Sequence, residues 1–87
     1  MSKVVRQGDK NSGGGVATTG VTNVLVNNKP IVTDGTLVTD HSRKHRSPRT
    51  ANGKSKVVAG NKPVNVVGNA DTCGHPRSEG SDNVIIG

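Results

Sequence analysis

The fold is decided by an eleven-residue stretch, residues 20–30 (GVTNVLVNNKP), because the chain repeats its pattern at residues 53–63 (GKSKVVAGNKP). In both copies a glycine opens the stretch and Lys-Pro closes it, and a further glycine, Gly35 or Gly68, follows the proline after four residues. A shorter third copy comes last, at residues 80–87 (GSDNVIIG). Repetition of this kind indicates similar units that share one core. We therefore predict a single domain over residues 1–87 with three repeats, near residues 20–35, 53–68 and 80–87.

Each full copy has the pattern of a β-hairpin. Aliphatic β-formers come first, then two residues that suit a turn with positive φ, then a proline at the first position of a return strand, where no ladder donor is needed. These features are Val24 to Val26, Asn27-Asn28, Pro30 and Ile31-Val32 in the first copy, and Val57 to Ala59, Gly60-Asn61, Pro63 and Val64 to Val67 in the second. An apolar period of 3.6 is absent, and the 12 glycines disfavour helix. The predicted fold is all-β, with pseudo-threefold symmetry and a small central core.

The composition excludes several classes of protein. There are no aromatic residues and only 19 Val, Leu and Ile, so the core is small and a metal or a docked partner is expected to add stability. No apolar stretch approaches the ~18 residues of a transmembrane helix, and no apolar segment follows Lys3 and Arg6 as it does in a signal peptide. One cysteine forms no internal disulfide. The acidic residues are scattered and the serines lack a nucleophile elbow, so we expect no enzyme.

All three histidines and the only cysteine lie in two loops that follow the first and second repeats. His41 and His45 come after Gly35, and Cys73 and His75 come after Gly68. Because the repeats are pseudo-equivalent, the two loops are expected to emerge at the same end of the fold. Three imidazoles and one thiolate then have the number and chemistry of a closed, structural zinc site, with no open position for a catalytic water. The alternative is that these loop histidines are simply solvated.

A basic run lies within the longer loop, and the whole chain carries a net charge of +6. The run comprises Arg43, Lys44, Arg46 and Arg49. One interpretation is contact with phosphates, in a small zinc-dependent nucleic-acid-binding module. The other is a solvated loop beside a structural site, and we favour it because no recognition helix or aromatic interleaving accompanies the charge. A largely disordered basic chain is a third possibility. We expect no specific nucleic-acid partner.

The order and spacing of these motifs resemble the PAAR-repeat proteins, which cap the central spike of contractile phage tails and type VI secretion systems. The resemblance covers nearly the whole chain. Its features are Gly8-Asp9, Gly13-Gly14-Gly15, residues 23–30 with Gly35, Pro63 with Gly68, Cys73-Gly74-His75 and the closing residues 80–87. The Pro-Ala-Ala-Arg sequence that names the family is replaced by Pro30-Ile31-Val32-Thr33 and Pro63-Val64-Asn65-Val66. Asn11-Ser12 stand where the family often has a histidine, and the resemblance then implies that His45 takes its place.

The resemblance implies a small cone of short β-hairpins with a metal-stabilised apex. It implies one structural Zn²⁺, in preference to iron, bound by His41, His45, Cys73 and His75. The base of the cone, with apolar residues such as Val84 to Ile86, would sit on the C-terminal end of a trimeric β-helical spike, one tip per trimer.

The function implied is a structural tip that caps and sharpens the spike of a contractile phage tail baseplate and helps pierce the host envelope. Contact with the envelope would be transient, without stable membrane insertion, and the protein would reside in the virion. The alternative is a type VI secretion spike tip, made in the bacterial cytoplasm and exported on the spike. We expect no fused effector domain.

Overall fold

Three pairs of short antiparallel strands are the regular elements of the residues that the structure describes. A computed structural model describes residues 2–39 and 48–86. In these residues the strands are β1 (Ser2–Lys3), β2 (Val21–Val26), β3 (Lys29–Ile31), β4 (Lys54–Ala59), β5 (Lys62–Val64) and β6 (Ile85–Ile86). They pair as β2–β3, β4–β5 and β1–β6, and the described residues contain no helix, hence none that could span a membrane. The prediction of an all-β fold of short hairpins is confirmed.

The two tight turns have the geometry that their sequences predict. Asn27 and Asn28 have φ of 53° and 65°, and Gly60 and Asn61 have φ of 56° and 65°, as a two-residue turn of positive φ requires. Such a turn pairs Lys29 directly with Val26. The return strands therefore begin at Lys29 and Lys62, one residue before the prolines, and the expectation of proline at the first position was wrong by one residue.

The third hairpin is completed by the other end of the chain. Strand β6 pairs with β1, with Lys3 opposite Ile85, as Pro30 lies opposite Leu25 in the first hairpin. From Lys3 onward the chain follows the same course as the return segments of the other two hairpins. Gly8 comes five residues after Lys3, just as Gly35 and Gly68 each come five residues after their prolines. These three glycines share the left-handed region, with φ of 92°, 86° and 99°, where a side chain would be strained.

A closed ring of backbone hydrogen bonds lies where the three return segments meet. The Val5 amide donates to the Asn65 carbonyl at 3.0 Å, the Asn65 amide to the Val32 carbonyl at 2.9 Å, and the Val32 amide to the Val5 carbonyl at 3.0 Å. All three residues have no exposed surface. Because they occupy equivalent positions in the three units, the ring marks the pseudo-threefold axis.

Two small apolar clusters lie on either side of this ring, since successive side chains of an extended segment point to opposite faces. On the hairpin side the buried members are Val4, Val26, Ile31, Ala59, Val64 and Val66. On the other side they are Val5, Ala17 and Val32. In this second cluster the third equivalent position is the buried Asn65, whose amide nitrogen donates to Asp34 Oδ1 and to the Ala51 carbonyl, each at 3.0 Å.

Candidate docking ring and candidate metal centre

Six exposed aliphatic side chains form three equivalent pairs, on strand β2, on strand β4 and at the start of strand β6. Each pair lies four and five residues after the glycine that opens its repeat. The pairs are Val24 with Leu25, Val57 with Val58, and Val84 with Ile85, and we call these six residues the docking ring. Because pseudo-threefold symmetry relates the pairs, they lie at one level around the axis. The docking ring is thus an apolar surface whose pseudo-threefold symmetry matches that of a trimer.

The next residue along each strand anchors the ring in the core. Val26 and Ala59 are buried in the hairpin-side cluster, and Ile86 is half-buried against it. Alternation along a strand then directs the preceding residue outward. Leu25, Val58 and Ile85 accordingly expose 58%, 60% and 46% of their surface.

The opening glycines allow each hairpin to lie directly on its return segment. A Cβ atom on Gly20 would lie 2.7 Å from the Ile31 carbonyl oxygen, and one on Gly53 would lie 2.8 Å from the Val64 carbonyl oxygen. Real Cβ atoms do not approach backbone so closely. Packing therefore requires glycine at these positions. The close contact that glycine allows places the strands of the docking ring equivalently on their return segments.

The loops at the other end of the fold are joined in a second cyclic pattern. The Ser12 amide donates to the Pro76 carbonyl at 2.9 Å, the Thr39 amide to the Val16 carbonyl at 3.0 Å, and the Thr72 amide to the Arg49 carbonyl at 2.8 Å. The three loops thus lie side by side around the axis.

Two of the four predicted zinc ligands come together in one of these loops. Cys73 and His75 are half-buried, and the Cys73 Sγ atom lies 3.8 Å from His75 Nδ1. His41 and His45 lie outside the described residues. Thr39 and Pro48, the described residues that flank their segment, belong to the same layer of loops, since Val38 donates to the Pro48 carbonyl at 2.8 Å.

The Cys73–His75 pair has the donor chemistry and spacing of two ligands on one metal ion. With Zn–S of about 2.3 Å and Zn–N of about 2.0 Å, a tetrahedral site separates sulfur from nitrogen by about 3.5 Å. The observed separation of 3.8 Å is close to this value. Among residues 2–39 and 48–86, no three His, Cys, Asp or Glu side chains converge on a common point.

The comparison with known families identifies the class of protein. The family model of the PAAR motif matches residues 7–76, which is most of the chain. The chain belongs to the PAAR motif family, whose members are structural proteins associated with the spike tips of type VI secretion systems and phage tails. They cap spike proteins and form part of secreted or virion spike structures. No curated protein matches the sequence.

The arginine of the family's namesake sequence survives as Arg6, in the return segment that follows β1 and completes the third repeat. Sequence reasoning missed it. Arg6 occupies the position of Thr33 and Val66, two residues before the glycine of positive φ. Its guanidinium binds Asp9 through two bonds, Nε to Oδ2 at 3.0 Å and Nη2 to Oδ1 at 3.1 Å. The hydrogen bond to Asp9 and its charge raise the pKa of Arg6 above its usual value, while partial burial opposes them.

Proposed function

We propose that this protein is the structural tip of a trimeric β-helical spike, docked through the docking ring with one copy per trimer. The observation that carries the proposal is the threefold repetition of an exposed apolar pair within one chain. Six aliphatic side chains exposed together form the kind of patch that marks an interaction site in small proteins. A partner with threefold symmetry is the one whose surface all three pairs can contact in the same way.

The end of a trimeric shaft presents three identical sites around its axis. A monomer without internal symmetry would engage one of them well and the others poorly. Three near-equivalent pairs let one monomer bury all its exposed ring residues at once, and the association gains the apolar surface of each pair.

The metal centre completes the proposal at the opposite end. One structural zinc ion, bound by His41, His45, Cys73 and His75, would cross-link loops that carry few apolar residues. Tetrahedral coordination by zinc can stabilise such loops where a hydrophobic core is lacking. The support is the donor set of Cys73 and His75 and their 3.8 Å separation.

Of the two machines that the family serves, we propose the contractile phage tail, with the protein at the tip of the baseplate spike in the virion and in transient contact with the host envelope. A type VI secretion spike is the other candidate. The docking ring would serve in either machine, and the machines differ in the spike trimer that would bind it. Identifying the trimer that binds therefore decides between them.

The test is association with trimeric spikes of each kind, measured by size-exclusion chromatography with light scattering. One tip bound to the C-terminal end of a phage spike trimer supports the proposal, whereas binding only to a secretion spike would reassign the machine. Absence of binding to either spike, together with salt-dependent binding of duplex DNA, would support the nucleic-acid-binding module instead.

A further inference from the structure

A fully buried ion pair closes the loop that carries Cys73 and His75. The side chains of Arg77 and Asp71 have no exposed surface, and Arg77 Nη1 lies 2.7 Å from Asp71 Oδ2. These residues stand at the two ends of the loop. Arg77 Nη2 also donates to the backbone carbonyl of Asp9, so the guanidinium reaches across to the loop that follows β1.

The same network holds the neighbouring glycine loop. The Asn11 side-chain amide donates to Asp71 Oδ2 at 2.9 Å. Its carbonyl oxygen accepts from the amides of Gly13 and Gly15 at 2.9 and 2.8 Å. Through Asp71 and Asn11, therefore, Arg77 ties the conformations of two loops together inside the protein.

The fold itself does not require this ion pair, as the other two repeats show. Three residues before the opening glycine of each repeat stand Ala17, Thr50 and Arg77, and all three are buried. A small neutral residue therefore suffices at two of the three equivalent positions. The arginine occurs at the end of the loop that holds Cys73 and His75.

The pair is also a costly way to fill this space. Buried ion pairs lose much of their Coulomb energy to desolvation, and apolar replacements are often as stable. Within the described residues, Asp71 Oδ1 and Arg77 Nε are buried without a hydrogen-bond partner. The benefit of the pair must therefore be sought in the loop that it closes.

We propose that Arg77 is a positioning residue, which with Asp71 fixes the Cys73–His75 loop in its ligand-presenting conformation before a metal ion binds. Two backbone bonds define that conformation, from the Asp71 amide to the His75 carbonyl at 2.9 Å and from the Gly74 amide to the Asp71 carbonyl at 2.8 Å. A loop already ordered loses less conformational entropy when a metal binds. The inference rests on the proposed metal site.

The test compares Arg77→Met, Arg77→Lys and the wild-type protein by two measurements on the full chain. The first is hydrogen exchange of the Asp71 and Gly74 amides without metal, and the second is Zn²⁺ affinity in competition with a chelating dye. Arg77→Met should exchange both amides faster and bind zinc about 10- to 100-fold more weakly, and Arg77→Lys should recover part of both losses. Val66→Ala is the matched control, because it lowers stability from the far side of the central ring.

The outcomes separate the inference from the metal site beneath it. Equal loop exchange and equal zinc affinity in Arg77→Met and wild type would overturn the positioning role. A loss of the same size in Val66→Ala would do so too, since it would reduce the effect to global stability. Absence of zinc binding by the wild-type protein would instead contradict the metal site and the inference with it.

Discussion

Replacing the most exposed residue of each ring pair by serine gives a quantitative prediction for docking. In the triple variant L25S, V58S and I85S, each altered side chain exposes about half of its surface in the free protein. Full burial of such a side chain is worth about 1.5–3 kcal/mol, so docking gains about 1 kcal/mol at each position. The three together contribute about 3 kcal/mol, and their loss should raise the Kd for the spike trimer by somewhat more than a hundredfold.

The symmetry of the ring sharpens this prediction. Each single variant should weaken binding by a similar factor, about fivefold, because the three positions are equivalent. Folding stability should change little, within about 0.5 kcal/mol for each exposed position.

Titration calorimetry against a spike trimer, with Leu37→Ser as control, measures both effects. Leu37 is 40% exposed and apolar but lies outside the ring, so its replacement should leave the Kd unchanged. Wild-type affinity in the triple variant, or an equal loss in Leu37→Ser, would refute the assignment of the docking surface.

Three further substitutions test the close packing at Gly20, the Arg6–Asp9 ion pair and the metal site. Gly20→Ala should lower the free energy of unfolding by more than about 2 kcal/mol, because its Cβ would meet the Ile31 carbonyl oxygen at 2.7 Å; thermal denaturation measures this, and a mild effect would contradict the close packing. Arg6→Ala leaves the buried Asp9 carboxylate without its cation and should cost about 3 kcal/mol in urea denaturation, whereas an unchanged midpoint would show the Arg6–Asp9 pair to be dispensable. Added zinc should raise the Tm of the wild-type protein, and Cys73→Ser should abolish that rise; a zinc-dependent Tm in the variant would exclude the thiolate as a ligand.

The hairpins follow from local sequence, but the closure of the third repeat does not. The two tight turns and their strands are encoded within residues 20–30 and 53–63, so pattern and propensity predict them. Lys3 and Val4 lack the Asn-Lys-Pro signature of the other return segments, and their partner strand lies at the far end of the chain. The five-residue spacing from Lys3 to Gly8 was the available signal.

The end of the fold that carries the loops was predicted only in part, because some of its contacts also join segments that are distant in the sequence. Repeat equivalence places the loops together, which the cyclic bonds of Ser12, Thr39 and Thr72 confirm. A polar loop residue such as Arg77 is ordinarily expected in solvent. Its burial depends on contacts across two repeats, which no local pattern expresses. The metal site itself stays a prediction.

The central claim is that three equivalent segments of one chain face the end of a trimer. Hydrogen exchange of the tip, alone and bound to a spike trimer, tests it directly. We predict that the amides of residues 24–25, 57–58 and 84–85 gain protection to a similar degree on binding, while those of residues 12–15 and 72–75 do not change. Protection of a single repeat, or of the loops rather than the docking ring, would contradict the account.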